Sequence, residues 1–205
     1  MTGSTLNMHY TIADPKTFGI SEYEPVLPIY HSGQPEDSKE HCSDLLHRLD
    51  RIDPDRLSPE NAYTYRLLHR SLENDLALAD FPYYNEPLSP SSGMQSQLPV
   101  LLAEYTFRTK RDVTDYLALL DQIDDYFASL LLYEQEKAAA GFFMPACSSE
   151  KVRKQCDTIV TTEELAQGTH FLQTTFEDRL SELQKQGLFT PEETASLIET
   201  NDRLL

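Results

Sequence analysis

Few residues of this chain could do chemistry, and they are scattered. His41, Asp44 and His47 come nearest to a metal cluster, at three-residue steps on one helical stretch. Ligands stepped by three drift around a helix axis, whereas an i, i+4 pair converges, so these three read as solvated surface groups. Asp121, Asp124 and Asp125 crowd one side of a long helical segment, where like charges mildly repel. Acid–base work by paired carboxylates needs an apolar pocket that lifts one pKa above the other; no such pocket is legible around them, and they too read as a solvated face. His9, His31, His69 and His170 each stand alone, and a lone histidine is more often a hydrogen-bonded structural residue than a base or ligand. The sequence has no His-Glu-x-x-His, no phosphate-cradling glycine loop, no Gly-x-Ser-x-Gly elbow and no calcium loop. No catalytic residue and no metal ligand is assigned to this chain.

The stretch richest in binding chemistry is a loop. From Phe81 to Gly93 the helical pattern breaks at Pro82, Pro87 and Pro90 and ends in a Ser-Pro-Ser-Ser-Gly turn cluster, a length that is often functional in a compact domain. Around it, Tyr83, Tyr84, Asn85, Glu86, Gln95 and Gln97 set aromatic surface beside amide and carboxylate groups, a mixture suited to holding a peptide by stacking and backbone hydrogen bonds. Tyr84, Asn85 and Gln95 are the candidate substrate-facing residues. The competing reading is that Tyr83 and Tyr84 pin the loop while the amides satisfy nearby backbone groups.

The elements that must position this loop are helices. Leu45, Leu46, Leu49 and Ile52 mark a first helix from Glu36 that Asp53-Pro54 stops. Ser58 caps a second with Pro59 in its first turn, and Tyr65, Leu68, Leu72, Leu76 and Ala79 recur at helical steps. A short helix is expected over Leu98 to Glu104, with Pro99 in its first turn. The strongest pattern opens with a capping box at Thr109 and Asp112 and runs through Val113, Tyr116, Leu117, Leu120, Ile123, Phe127, Leu130 and Leu131 to Gly141, predicting one central helix. The Phe142-Phe143-Met144-Pro145 turn beyond it must tuck against a core or a partner.

Further helices are expected with Ser148 or Ser149 as cap and Val152, Cys156 and Ile159 inward, over Thr175 to Gln186 with Phe176, Leu180 and Leu183 buried, and from Thr190-Pro191-Glu192-Glu193 onward. That last helix reaches Leu205 without a stop signal, which is the pattern of a chain that continues. The first forty residues, with Pro15, Pro25, Pro28 and Pro35 among Tyr10, Phe18, Tyr23 and Tyr30, are expected to form an irregular wrap held by aromatic burial. The fold class is therefore all-α: an irregular aromatic-rich N-terminal wrap followed by a bundle of about six or seven helices, one helical domain over residues 1–205.

Charge excludes two classes of partner. Lysine and arginine total 17 against 34 aspartates and glutamates, a formal net charge of −17. That sign repels phosphate backbones and anionic lipid surfaces, so no nucleic acid partner is expected. No apolar run approaches the roughly 18 residues needed to cross a bilayer, and the start at Met1-Thr2-Gly3-Ser4-Thr5 lacks the basic and apolar regions of a secretory signal. Cys42, Cys147 and Cys156 are too far apart for a zinc knuckle and read as buried free thiols.

Several stretches together carry a family resemblance. Leu6-Asn7-Met8-His9-Tyr10-Thr11-Ile12-Ala13-Asp14-Pro15 with Phe18-Gly19-Ile20, Asn85-Glu86-Pro87-Leu88 through Gly93-Met94-Gln95-Ser96-Gln97-Leu98-Pro99, Tyr116-Leu117-Ala118-Leu119-Leu120 and the Gly141-Phe142-Phe143-Met144-Pro145 turn resemble, in order, the bacterial family catalogued as domain of unknown function 885. The resemblance implies a mainly helical protein more than twice this length whose C-terminal part carries a zincin-like His-Glu-x-x-His. In that motif two histidines one turn apart bind zinc and the glutamate activates the metal-bound water. None of those residues is in this chain, so the resemblance places zinc in the missing C-terminal part and no cofactor here. It implies a non-catalytic N-terminal segment that packs on its own C-terminal catalytic domain and borders the cleft for a peptide substrate. The alternative is a stand-alone helical binding or scaffold module.

Overall fold

The computed structural model describes residues 5–30 and 34–205, with the side chains of 34–37 left aside. The sequence readings that fall on Met1–Ser4, on His31 and on the side chains of Pro35 and Glu36 lie outside the described residues. Those residues are all-α: helices α1 (Thr5–Thr11), α2 (Gln34–Leu49), α3 (Pro59–Leu78), α4 (Met94–Ala103), α5 (Lys110–Leu120), α6 (Ile123–Ala139), α7 (Ala146–Ile159), α8 (Thr162–Gln167), α9 (Phe171–Lys185) and α10 (Pro191–Leu204), with 3-10 turns at Pro15–Phe18 and Pro54–Arg56 and no strand among them.

The chain divides into two compact units. The first comprises Met1–Ile29, Pro87–Leu131 and Phe143–Leu205, and the second Tyr30–Glu86 and Leu132–Phe142.

The core of the first unit is where α5 and α9 place their apolar stripes. Val113, Tyr116, Leu119, Phe176, Leu180 and Leu183 are fully buried together with Leu98, Leu102 and Tyr105. Phe107, Tyr116 and Phe176 form an aromatic cluster with ring centroids 5.3 to 5.5 Å apart, the separation at which such pairs attract beyond their area. Arg179 closes it: its guanidinium lies 4.4 Å over the Phe107 ring and donates to the carbonyls of Leu102 and Tyr105. A half-buried cation is stabilised there by those two carbonyls and by the face of the ring. The two capping boxes expected at Thr109–Asp112 and Thr190–Glu193 both form, with reciprocal side-chain and backbone bonds.

The N-terminal stretch departs from the expected wrap. Thr5–Thr11 is helical, burying Leu6 and Met8, and residues 20–27 are clasped by polar bonds rather than by aromatic burial. Tyr10 and Phe18 are exposed, while Gln122 Nε2 donates to Pro25 O at 2.9 Å, Leu27 N donates to Gln122 Oε1 at 3.0 Å, and the Tyr23 hydroxyl donates to buried Asp115 at 2.8 Å. The extended backbone of this strap has no ladder of its own, so its donors and acceptors had to find side chains.

Other boundaries also moved. The single central helix is two: α5 ends at Leu120 with Asp121 as its C-cap and α6 begins at Ile123, the break supplying the Gln122 side chain to the N-terminal strap. Asp124 and Asp125 thereby fall in the first turn of α6, where the helix dipole favours anions. The helix at Pro99 starts at Met94, not Leu98, and holds Pro99 in its interior; the lost amide donor there is offset by burial of Leu98, Pro99 and Leu102. α7 begins at Ala146 with no serine cap, α8 is an additional helix capped by Thr161, and α9 begins at Phe171 because His170 caps it, its Nδ1 accepting from Leu172 N at 3.3 Å and its Nε2 lying 2.9 Å from Ile159 O. His170 is thus a structural histidine. Of the three free cysteines only Cys42 is buried; Cys147 and Cys156 are exposed, because the inward face of α7 runs from Val152 to Gln155, which meets Gln95.

The second unit pairs α2 with α3. Leu45, Leu46 and Leu49 of α2 are half-buried or line its rim, as are Tyr65, Leu72, Leu76 and Ala79 along α3, yet α3 buries no residue fully. Ser58 caps it as expected, its hydroxyl accepting from Asn61 N, with Pro59 in the first turn.

Candidate functional site

The loop after α3 supplies the site with the most chemistry. Residues 80–86 belong to the second unit, as do the last turns of α6. Tyr133, one helical turn before Lys137, is buried; its hydroxyl donates to Pro82 O at 3.0 Å, with Asn85 O at 3.3 Å. Tyr83 packs its ring 6.1 Å from Tyr133 and 5.8 Å from Phe142. The Tyr133 hydroxyl's one proton serves Pro82 O, the nearer of the two carbonyls, and Lys137 Nζ also reaches Asn85 O, so side chains of α6 fix the loop backbone.

Beneath it lies a charged cluster that periodicity alone did not reveal. Lys137 is 3% exposed and its Nζ donates to Glu86 Oε2 at 2.6 Å, with Asn85 O at 3.4 Å. Glu134, 6% exposed, has no hydrogen-bond partner at either carboxylate oxygen, and Glu86 Oε1 has none. Burial pushes the Glu134 carboxyl above the usual carboxylate range; Lys137 pulls it back, and the Glu86 charge adds to the rise. Burial, with the charges of Glu134 and Glu86, pushes the Tyr133 phenol up to about 12. A buried ammonium thus meets one carboxylate directly, while burial drives the second carboxyl, Glu134, toward its neutral form.

The sequence candidates are distributed differently from one another. Tyr84 is 77% exposed, and Asn85 is exposed with its carbonyl turned in to Tyr133 and Lys137, so both present side chains to solvent. Gln95, in the first unit, is 3% exposed and does not face solvent: its Nε2 donates to Ser89 O at 2.7 Å and to Gln155 Oε1 at 2.9 Å. It braces the Ser89–Gly93 turn, where a Cβ on Gly93 would fall 2.3 Å from Ser89 N. Tyr83 and Gln95 therefore hold the loop and its turn in place, whereas Tyr84 and Asn85 are exposed at its surface.

The other candidates stay apart from this cluster. On α2, His41 and His47 are not buried, and Asp44 pairs with Arg48 at 3.7 Å. Among the described residues no three histidine, cysteine, aspartate or glutamate side chains are grouped to hold a metal. Glu134 and Lys137 were missed because Glu134-Gln135-Glu136-Lys137 reads as a solvated helical turn; the available signal was Tyr133 continuing the apolar stripe beside them.

A bacterial family of unknown function, DUF885, has a model that matches residues 16–201. The chain belongs to the DUF885 family. No curated protein matches it. A solved structure described as that of "the putative lipoprotein from Colwellia psychrerythraea" superposes with a TM-score of 0.70 at 16% sequence identity, covering 97% of this DUF885 chain and 34% of that one. At that identity the likeness is one of fold, and this chain spans about a third of the length of the protein it matches.

Proposed function

We propose that this DUF885 chain is the non-catalytic N-terminal helical segment of a larger zinc-metallopeptidase-like protein, where it shapes one side of the substrate cleft. What carries the reading is length: nearly all of this chain matches only 34% of the solved relative, so in that protein two thirds of the polypeptide lies outside the helical part described here. The second support is local, a rigidly held loop that presents Tyr84 and Asn85 to solvent as a stacking and hydrogen-bonding rim. In this reading zinc and the attacking water belong to the other part of the protein.

The test is made on the full-length gene product and on residues 1–205. The expected result is stoichiometric zinc and peptide hydrolysis in the former alone, with Tyr84→Ala raising KM while leaving kcat within about twofold, the mark of lost uniform binding. Stoichiometric zinc bound by residues 1–205, or a full-length sequence without a helical His-Glu-x-x-His, overturns it.

One observation favours a second reading, a helical protein-binding module. Phe142 and Phe143 are both exposed while Met144 is buried, so the turn offers two aromatic rings to a partner. Unchanged exposure of both rings in the full-length protein, measured by covalent footprinting, would favour that reading over the first.

A further inference from the structure

Away from the loop site, a pocket of the first unit gathers positive charge on a chain whose balance is strongly negative. It has a volume of about 520 Å³, and its walls are residues 13–23 and 108–112. Lys16, Arg108 and Arg111 line it, against Asp14 and Asp112. Three cations to two anions inverts the ratio of the whole chain, which has 17 basic residues to 34 acidic ones.

Both acids are already engaged. Asp14 accepts from Lys16 N at 3.1 Å and caps the 3-10 turn Pro15–Phe18, which Gly19 closes in the left-handed region at φ 75°. Asp112 Oδ2 accepts from Arg108 N at 2.9 Å and from Thr109 N at 2.7 Å, completing the cap of α5. The same bonds fix the backbone of both walls, so the side chains of Lys16 and Arg108 spring from rigid supports.

The cations divide into a wall and a pair of free heads. Arg111 stacks 3.9 Å over the Tyr23 ring, donates to Tyr23 O at 2.7 Å and lies 3.4 Å from Asp115, so it is part of the wall. Lys16 and Arg108 have no side-chain partner among the described residues, and both are exposed at the pocket. A flexible ammonium and a planar guanidinium fork lining one pocket are the pairing that recognises tetrahedral or planar oxyanions. The volume lies in the range of small-molecule sites.

We propose that this pocket is an oxyanion-binding site, in which Lys16 and Arg108 bind the carboxylate or phosphate group of a small molecule or peptide end against the Arg111–Tyr23 wall. It rests on this pocket alone and stands or falls separately from the peptidase reading.

The experiment is a titration of the 205-residue chain followed by amide NMR at constant ionic strength, with three probes: inorganic phosphate, an acetylated dialanine with a free carboxylate, and the same dipeptide as its amide. Saturable shifts confined to residues 13–23 and 108–112 with phosphate or with the carboxylate are expected. K16A/R108A should weaken binding at least about tenfold, the size of one lost charge-assisted hydrogen bond, with an unchanged thermal midpoint because both side chains are exposed. Which of the two anions binds decides the source of the group. Absence of saturation with both, equal binding of the amide, or unchanged binding by K16A/R108A overturns the proposal.

Discussion

In the first unit Tyr105, Tyr116, Leu119, Phe176 and Leu180 lose all or nearly all contact with solvent, whereas α3, the longest helix of the second, buries no residue fully. Among its described residues the second unit buries two charged side chains, Lys137 and Glu134 under the loop, beside Tyr133 and Cys42. Apolar burial is additive and tolerant, whereas a buried charge stabilises only while each partner and each proton is in place. The contrast therefore separates a part that holds its shape by packing from a part whose shape depends on ionisation, and local openings with low free energy belong to the latter.

The largest expected effect tests the packed side. Leu180→Ala should cost about 3 kcal/mol in urea denaturation, because it removes a fully buried side chain among Phe176 and Leu183 where neighbours cannot collapse. Lys137→Met should cost about 2 kcal/mol, less than the figure for a fully buried pair because Glu86 keeps a third of its side chain in solvent. Adding Glu86→Gln to Lys137→Met should recover most of that loss, since no uncompensated carboxylate remains at that position. If Lys137→Met alone is neutral, the cluster does not hold the second unit and the contrast is broken.

Sequence reasoning reached the packed side more readily than the polar one. The stripe Val113, Tyr116, Leu120 and the set Phe176, Leu180, Leu183 announce buried faces by spacing, and the caps at Ser58, Thr109 and Thr190 announce helix starts by chemistry. Periodicity does not announce partners at a distance in sequence. Gln122 meets Pro25 across 97 positions and Lys137 meets Glu86 across 51, so neither the N-terminal strap nor the charged cluster has a local signature. The break between α5 and α6 is invisible for the same reason: residues 121 and 122 are helix-compatible, and the tertiary use of Gln122 decides. The exposure of Tyr84 and Asn85 was legible because loop tips tend to be exposed, while the inward turn of Gln95 depends on Gln155, 60 positions away.

The proton count under the loop sharpens the contrast next. Burial raises the Glu134 pKa in the folded form, so in the window between its unfolded and folded values the folded chain keeps a proton that the unfolded chain releases. The associated stability is fully present below the ordinary glutamate pKa and is lost as pH rises through the raised folded value. Glu134→Gln fixes the neutral form. It should leave stability below that window nearly unchanged, gain about 1 kcal/mol above it by removing a buried carboxylate with no hydrogen-bond partner, and flatten the pH dependence of denaturation. A variant with the parent's pH slope would show that another group titrates.

The smallest expected effect lies on α3 itself. Tyr63, Leu67 and Leu78 are exposed and fall within about 60° of one another around the helix, by the 100° advance per residue, opposite Tyr65, Leu72 and Leu76 on its half-buried side. An amphipathic helix needs one apolar stripe, and α3 carries two. In residues 1–205, Leu67→Ser and Leu78→Ser should each change stability by less than about 0.5 kcal/mol, because the side chains are about half in water already and no core loses volume. In the full-length protein the same pair should cost more than about 1 kcal/mol if the second stripe is apolar surface that the rest of the polypeptide removes from water. Equal, negligible effects in both contexts would leave the second stripe exposed in the longer protein as well, and the low burial of α3 would then be a property of the helix rather than of the segment taken alone.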